Sequence, residues 1–341
     1  MGFKVVNSVH VPGIDFGEEL LEPFDATLVN GNWRTEEDII SNAKDADALI
    51  CVGPGQPLNR RVFEGLEKCR IAASLAIGYD RIDLEGATDQ CIAITNSPDY
   101  CLDEVSDQAI ALMMALARKL FPIDHVVRTE HQSIVPPNRE LLKRVAHPIY
   151  PMRGRTLGII GLGRIGTTTA LKAQGLGMRV IAYDPYVYGA VMKTRGVEPV
   201  DLNRLLKESD FITIHALLTD ETREMIGYPE LKQMKPTSYL INTARGGIVN
   251  EPALVKALEE GLIAGAGLDV NATEPVPEGD PILNFPNVIL TGHSAWYSTV
   301  SDVEMWRKGM TQIVMALRGE WPTYAVNPEV KDRWMERFGK G

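Results

Sequence analysis

Apolar and polar residues alternate in short blocks through the first hundred positions of the chain. Short apolar runs bounded by polar residues predict buried β-strands, and stretches whose apolar residues recur at helical spacing predict helices. The predicted strands span 4–8, 26–30, 48–52, 71–75 and 92–95, and the predicted helices span 36–44, 58–67 and 81–89. Strands that alternate with helices indicate a parallel sheet with helices on its faces.

The second part of the chain repeats this rhythm after a long helix predicted over 103–120. The segment 121–154 is expected to be less regular, because Pro136, Pro137, Pro148 and Pro151 interrupt it. Six further strands are predicted over 157–160, 180–183, 211–215, 239–242, 264–270 and 288–290, and a last helix over 299–318. Six strands separated mostly by helices are typical of a doubly wound nucleotide-binding sheet.

Length and composition limit the possible classes of protein. A chain of 341 residues is long for one hydrophobic core, so two domains are expected. The net charge of −10 disfavours nucleic acid as a partner, because phosphate binding needs a basic surface. The four cysteines lack metal-binding spacing, which favours reduced thiols and a soluble, cytoplasmic protein. No stretch reaches the roughly 20 apolar residues that cross a bilayer, so no membrane association is expected.

A glycine-rich segment, Gly-Leu-Gly-Arg-Ile-Gly at 161–166, directly follows the predicted strand 157–160 and opens a helical stretch. Such glycines allow a sharp turn, close approach of a pyrophosphate and close helix–strand packing. The next strand ends at Asp184, where a carboxylate accepts hydrogen bonds from ribose hydroxyls and repels a 2′-phosphate. The alternative is a plain turn formed by Asp184 and Pro185. The register favours an NAD site formed by Gly161, Gly163, Arg164, Ile165, Gly166 and Asp184.

Three polar residues follow later predicted strands, at the end of the sheet where doubly wound proteins bind their ligands. They are Arg245, Glu274 and His293. Taken alone, each of these residues is at least as well explained as a solvated residue of a surface loop as it is by a catalytic role. Their placement after successive strands favours a joint catalytic site.

Several segments resemble the D-isomer-specific 2-hydroxyacid dehydrogenases, namely 78–83, 158–166, 243–249 and 267–275. The sequence His-Ser-Ala-Trp-Tyr-Ser at 293–298 is most similar to the branch that contains the C-terminal-binding protein corepressors. The resemblance implies an α/β fold with two doubly wound parallel-sheet domains. A Rossmann NAD-binding domain over 103–295 is then inserted into a flavodoxin-like substrate domain formed by 1–102 and 296–341. It also implies a homodimer formed through the NAD-binding domain.

The resemblance implies that the protein interconverts a small 2-oxo acid and a D-2-hydroxy acid with NAD. His293 is then the acid that protonates the carbonyl oxygen during reduction. Glu274 holds the imidazole and favours its charged form. Arg245 binds the substrate carboxylate or carbonyl through its planar donor fork.

Further contacts are implied on either side of the reacting atoms. The nicotinamide carboxamide is expected to contact the backbone and side chains at Thr243, Ala244 and Asp269. The substrate is expected to contact Ala76, Ile77 and Gly78, whose loop offers backbone N–H groups to the carboxylate, and Trp296, which walls the pocket. Trp296 as plain aromatic packing is the alternative.

The chain departs from the family at three positions. The family commonly has glycine at the position of Ala76 and proline at the position of Gly292, and the corepressors carry arginine at the position of Ser74. The shape of the carboxylate loop and the tightness of the histidine turn are therefore open at this stage. Corepressor-like substrate binding does not transfer automatically.

Two alternatives stay open. One is a glyoxylate, hydroxypyruvate or phosphoglycerate dehydrogenase of the same fold. A phosphorylated substrate is disfavoured, because it needs several cations and only Arg245 is placed near it. The other alternative is a non-catalytic protein that senses NADH, although the intact catalytic trio argues against it.

Overall fold

The computed structural model describes residues 2–15, 17–133 and 138–340, and it divides into two compact units. Unit 1 comprises Met1–Tyr100 and Ser298–Gly341, and unit 2 comprises Cys101–Tyr297. The chain leaves unit 1 once and returns to it, so unit 2 is an insertion within unit 1. Each unit has its own sheet and its own hydrophobic core.

Unit 1 is built around a five-stranded parallel sheet. Its elements up to Tyr100 are β1 (Lys4–Asn7), β2 (Thr27–Asn30), α1 (Glu36–Ala43), β3 (Ala48–Cys51), α2 (Arg60–Glu64), β4 (Ile71–Ser74), α3 (Leu84–Asp89) and β5 (Ala93–Thr95). The strand order β2-β1-β3-β4-β5 is that of flavodoxin-like sheets. Every residue of β3 and β4 is buried, as expected of parallel strands covered on both faces. The five strands predicted for this part of the chain are confirmed.

Unit 2 begins with three helices and continues as alternating strands and helices. The helices that precede its sheet are α4 (Leu102–Ala117), α5 (Leu120–Glu130) and α6 (Arg139–Ala146). The alternating elements are β6 (Thr156–Ile160), α7 (Arg164–Gly175), β7 (Arg179–Tyr183), α8 (Gly189–Thr194), β8 (Glu198–Pro199), α9 (Leu202–Glu208), β9 (Phe211–Ile214), α10 (Tyr228–Leu231), β10 (Tyr239–Asn242), α11 (Glu251–Glu259), β11 (Gly265–Leu268) and β12 (Val288–Leu290).

The sheet of unit 2 is parallel and has the strand order β12-β11-β10-β9-β6-β7-β8. The order reverses between β6 and β9, which gives the switch point at which Rossmann sheets bind dinucleotides. The six predicted strands are confirmed. The two-residue edge strand β8 was not predicted, because so short a segment carries no periodicity.

The prediction that 121–154 is irregular is wrong for much of its described part, which contains α5 and α6. The prolines lie where helices tolerate them: Pro122 falls in the first turn of α5, and Pro148 follows the end of α6. The helix predicted over 103–120 ends earlier, since Lys119 takes a left-handed φ of 54° and starts α5. Pro136 and Pro137 lie outside the described residues.

The chain returns to unit 1 through α12 (Ser301–Leu317) and α13 (Lys331–Phe338), so the predicted last helix is confirmed as α12. The side chains of Trp306, Met310 and Ile313 on α12 join the core of the unit 1 sheet. Trp334 on α13 is fully buried, and its indole N–H donates to the Arg70 carbonyl at 2.6 Å. None of the helices in the described ranges is long and apolar enough to cross a membrane.

Candidate active site

The glycine loop joins β6 to α7 at the carboxyl end of β6, next to the switch point of the sheet. Gly161 has a φ of 90°, and a Cβ at this residue would lie 2.7 Å from the backbone nitrogen of Ala216. A Cβ on Gly166 would lie 2.1 Å from the Gly161 carbonyl oxygen. The packing of the loop therefore requires both glycines. Nothing lies within 4 Å of a Cβ added at Gly163, which leaves open space at the amino end of α7. This space fits a pyrophosphate at a helix start.

Asp184 directly follows β7, and its carboxylate lies beside the glycine loop. Oδ2 accepts the Leu162 N–H at 2.8 Å, and Oδ1 accepts the Tyr186 N–H at 2.9 Å. Each carboxylate oxygen has a second lone pair, so the group can also accept ribose hydroxyls. Arg164 and Ile165 form the first turn of α7, next to the same loop.

The turn after β10 carries Thr243, Ala244 and Arg245, and buried Asn242 shapes it. The Asn242 side chain accepts the Ala244 N–H at 3.0 Å and donates to the Arg245 carbonyl at 2.9 Å. The Arg245 guanidinium donates to the Ala244 carbonyl at 2.8 Å. The buried Thr243 hydroxyl meets no hydrogen-bond partner among the residues that the structure describes. A bound nicotinamide carboxamide would satisfy this orphaned hydroxyl.

The turns after β10 and β11 touch each other. A Cβ on Gly246 would lie 1.9 Å from the Asn271 carbonyl oxygen, so only glycine permits the contact. The Asn271 N–H donates to Glu274 Oε1 at 3.1 Å. Glu251, at the start of α11, accepts the Ala272 N–H at 3.0 Å. These bonds fix the Glu274 carboxylate beside the turn that carries the arginine.

His293 and Glu274 form the central pair of the site. The distance from His293 Nδ1 to Glu274 Oε2 is 2.7 Å, and each side chain is about one-third exposed. Burial is the largest influence on the pKa of Glu274 and raises it. The hydrogen bond and charge of His293, the Asn271 N–H and the charge of Arg245 act in the opposite direction. Together they outweigh burial and lower the pKa of Glu274, so this carboxylate is ionised at neutral pH.

Asp269, directly after β11, is almost fully buried inside the turn that carries His293. Its carboxylate accepts the Thr291 hydroxyl at 2.5 Å, the Ser294 N–H at 3.0 Å and the Ala295 N–H at 3.1 Å. The His293 N–H donates to the Asp269 backbone carbonyl at 2.6 Å. Asp269 therefore holds the histidine turn. Its contact with the nicotinamide carboxamide stays a prediction.

The histidine turn contains two consecutive residues with left-handed backbone, Gly292 with a φ of 60° and His293 with a φ of 62°. Proline is locked near −65° and cannot adopt the conformation that Gly292 has here. The turn at Gly292 therefore differs in backbone conformation from a turn that has proline at this position. The hydrogen bonds to Asp269 hold the turn in this conformation.

The remaining predicted substrate residues lie in two places. Trp296 is half-buried in unit 2, and its ring meets the Tyr297 ring edge-on at a centroid distance of 5.5 Å. Ala76, Ile77 and Gly78 lie in unit 1, in the loop that follows β4. The Ser74 side chain is buried at the end of β4, where its hydroxyl accepts the Gly53 N–H at 3.4 Å.

The structure adds two residues that the sequence analysis did not single out. Asn242 shapes the turn that presents the arginine, and Glu251 braces the turn that presents the glutamate. A polar residue that ends an apolar strand, as Asn242 does, is a weak signal for such a role. Glu251 carries no signal, because helix starts commonly contain acidic residues.

The comparison with known proteins decides the family. A family model described as D-isomer specific 2-hydroxyacid dehydrogenase, NAD binding domain, matches residues 110–295. A glyoxylate reductase from Korarchaeum cryptofilum is 43% identical over 307 residues, which cover 87% of this chain and 89% of that protein. The chain belongs to the D-isomer-specific 2-hydroxyacid dehydrogenase family. The recognition made from the sequence is confirmed.

Two further members of this family are similar over most of the chain. A D-3-phosphoglycerate dehydrogenase from Methanocaldococcus jannaschii is 36% identical, and the match covers 98% of this chain and 61% of that protein. A D-lactate dehydrogenase from Aquifex aeolicus, solved with NAD and lactic acid, is 28% identical with a TM-score of 0.79, covering 92% and 94% of the two chains. The predicted fold, the oxidoreductase class and NAD as the cofactor are confirmed. The corepressor-like branch stays a prediction.

Proposed function

We propose that this 2-hydroxyacid dehydrogenase reduces a small, unphosphorylated 2-oxo acid of about the size of glyoxylate with NADH. The observation that carries the proposal is the 2.7 Å contact between His293 and Glu274, with the charge of Arg245 acting on the same carboxylate. An imidazole held by an ionised carboxylate is suited to donate a proton to a carbonyl oxygen and to take one up in the reverse reaction. The glyoxylate reductase with 43% identity supports the substrate size.

The reaction adds one hydride and one proton to the carbonyl group. NADH, when bound, supplies the hydride that reaches C2 of the substrate. His293 supplies the proton to the carbonyl oxygen from Nε2, because Nδ1 lies on Glu274. Glu274, ionised at neutral pH, stabilises the imidazolium before the transfer. Arg245 binds the substrate carboxylate with its planar donor fork.

The cofactor is proposed to occupy the carboxyl edge of the unit 2 sheet. The space at Gly163 accommodates the pyrophosphate, Asp184 accepts the ribose hydroxyls, and the Thr243 hydroxyl meets the carboxamide. The residues proposed to hold NAD are Gly161, Gly163, Arg164, Ile165, Gly166, Asp184, Thr243, Ala244 and Asp269. The open space and the orphaned hydroxyl support this placement.

The experiment is an NADH oxidation assay with glyoxylate, pyruvate, hydroxypyruvate and phosphohydroxypyruvate. We expect turnover of the small unphosphorylated acids and a much lower kcat/KM for the phosphorylated acid. The matched variant is His293→Asn, which keeps a polar side chain and should bind NADH while losing most turnover. A wild-type protein that binds NADH but turns over none of the acids would favour the non-catalytic protein that senses NADH. A preference for phosphohydroxypyruvate would favour a phosphoglycerate dehydrogenase.

The proposed assembly is a homodimer formed through unit 2. Large apolar side chains on α5 and α6 are exposed in the single chain, which supports a partner on this face. They are Leu120, Phe121, Val127 and Leu142, each at least 43% exposed. Sedimentation should give twice the chain mass for the wild type and a monomer for Phe121→Glu. A monomeric wild type at micromolar concentration contradicts the proposal.

The proposed location is the cytoplasm. The four cysteines are buried and form no disulfide within the described part of the chain, which suits a reducing compartment. Fractionation of cells that produce the protein should recover it with cytoplasmic markers, and recovery with an oxidising compartment would contradict this location.

A further inference from the structure

In unit 1, the residues that follow β5 donate hydrogen bonds to the loop that follows β4. The Ser97 N–H donates to the Ala76 carbonyl at 3.1 Å, and the Asn96 side-chain amide donates to the Ile77 carbonyl at 2.7 Å. Asn96 and Ser97 are both buried. The Asn96 backbone N–H donates in turn to the Tyr324 carbonyl at 3.3 Å, so Asn96 is anchored at its backbone as well.

These two bonds fix the direction of the next two N–H groups in the loop. Within a trans peptide the C=O and the following N–H point in opposite directions. A fixed Ala76 carbonyl therefore orients the Ile77 N–H, and a fixed Ile77 carbonyl orients the Gly78 N–H. Among the residues that the structure describes, neither of these N–H groups meets an acceptor, although Gly78 is buried. Buried N–H groups are rarely left unpaired in native proteins, so the N–H of buried Gly78 points to a ligand.

We propose that Asn96 is a positioning residue for the substrate carboxylate. Its side chain sets the peptide between Ile77 and Gly78 so that the Gly78 N–H is presented to an anion, while Ser97 sets the preceding peptide. An amide suits this role because it donates to the carbonyl, whereas the carboxylate of aspartate repels that oxygen. The inference rests on the proposed function, since it assigns the loop to the carboxylate of the 2-oxo acid.

The test compares Asn96→Asp and Asn96→Ser with the matched control Thr95→Val. The Thr95 hydroxyl is buried next to Asn96 and has no partner among the described residues, so Thr95→Val removes a buried polar group without touching the loop. Each protein is assayed with a 2-oxo acid and with the methyl ester of the same acid, which lacks the carboxylate. The affinities for oxamate, an unreactive carboxylate analogue, and for NADH are measured as well.

We expect each Asn96 variant to raise the KM for the acid and to lower the affinity for oxamate, each by about tenfold. A change of this size corresponds to the loss of one hydrogen bond to a charged group. The Asn96 variants should keep wild-type turnover of the ester and wild-type affinity for NADH. The Thr95→Val control should keep wild-type values for the acid, the ester, oxamate and NADH. An unchanged KM for the acid, or equal losses for acid and ester, overturns the positioning role.

A measurement on the unmodified protein keeps the test decisive if the variants fold poorly. In protein labelled with ¹⁵N at glycine and isoleucine, oxamate should shift the amide signals of Ile77 and Gly78. Unmoved signals at saturating oxamate overturn the inference. Failure of the proposed function has a different signature, because the wild type then either oxidises no NADH with any of the acids or prefers phosphohydroxypyruvate.

Discussion

Two carboxylates hold the catalytic histidine in place: Glu274 holds the side chain of His293, and Asp269 holds the turn that carries it. Glu274 contacts the imidazole at Nδ1, whereas Asp269 binds the backbone N–H groups of the turn. A left-handed conformation costs a residue with a side chain about 1–2 kcal/mol. The hydrogen bonds to Asp269 offset that cost, so the ring is presented by a turn that has little freedom to move.

Replacing Glu274 by glutamine should move the pH dependence of reduction. Reduction needs protonated His293, and ionised Glu274 favours the charged imidazole. Glu274→Gln keeps the shape and removes the charge, so the alkaline limb of the reductive rate should move to lower pH. Oxidation, which needs neutral His293, should suffer less.

The matched control for this prediction is Glu251→Gln. Glu251 is a neighbouring carboxylate that braces the same turn, but its bonds go to Ala272 and Asn271. Its pH profile should therefore stay in place. If deuterated NADH shows that hydride transfer limits the rate and the Glu274→Gln profile still coincides with wild type, the role given to Glu274 is wrong.

Trp296→Ala tests whether the half-buried indole walls the substrate pocket. A 2-oxo acid with an apolar side chain that packs on the ring should lose about 1–3 kcal/mol of transition-state stabilisation, whereas glyoxylate has no side chain to lose contact. The readout is kcat/KM across acids of increasing size, with Tyr297→Phe as the control on the adjacent ring. Equal losses for glyoxylate and larger acids would indicate that Trp296 is structural.

Single residues differ in how visible their roles are in the sequence. Arg245, Glu274 and His293 could be predicted because each has reactive chemistry and follows a strand. Asn96 and Glu251 act through bonds to segments 19 and 21 positions away, and no local pattern records such contacts. Their roles follow from the three-dimensional structure, which brings these residues into contact with the loops that they hold.

At the scale of elements, the unit from β6 to β7 sets the choice of cofactor. Asp184 is fixed by the Leu162 N–H of the glycine loop, so its carboxylate lies where a ribose 2′-phosphate would meet it. NADH should be preferred over NADPH in kcat/KM. Asp184→Asn keeps an acceptor for Leu162 and removes the charge, which should reduce that preference by about tenfold, or about 1.4 kcal/mol. Equal use of both cofactors by the wild type would contradict the assignment.

The strands of both sheets were predictable because buried parallel strands form apolar runs between polar turns. The helices of 121–154 were missed because prolines such as Pro148 were taken to interrupt the segment, whereas Pro148 lies just after the end of α6. The stripe of apolar residues on α5 faces outward in part, as Phe121 shows at 59% exposure. When a helix leaves part of its apolar face exposed, the spacing of its apolar residues is a poor guide to its position in the sequence.

At the scale of the whole molecule, the order of strands in each sheet could not be derived from periodicity. The alternation of strands and helices predicted two parallel sheets, but the orders β2-β1-β3-β4-β5 and β12-β11-β10-β9-β6-β7-β8 depend on contacts between distant segments. The resemblance to the family supplied both topologies. The open space at Gly163 and the orphaned hydroxyl of Thr243 required coordinates.

His215, at the end of β9, should make the stability of unit 2 depend on acid. Desolvation lowers the pKa of its imidazole to about 3 in the folded protein. Below the ordinary value of about 6.5 the unfolded chain binds a proton that the folded chain does not, so stability falls as the pH falls, by up to about 1.4 kcal/mol per unit. Urea unfolding of the protein without cofactor between pH 7 and pH 4 should show a flatter dependence for His215→Gln. The exposed His131→Gln is the control, and identical acid limbs for both variants contradict the prediction.

The fate of the transferred hydrogen tests hydride transfer and the role of His293 together. NADH deuterated at C4 of the nicotinamide is incubated with a 2-oxo acid that gives a chiral product, such as pyruvate, and the product is examined by NMR and chiral separation. We expect a D-2-hydroxy acid with deuterium at C2, and a loss of about a hundredfold or more in rate for His293→Asn with NADH affinity retained. An L-product, solvent hydrogen at C2, or full turnover by His293→Asn would contradict it.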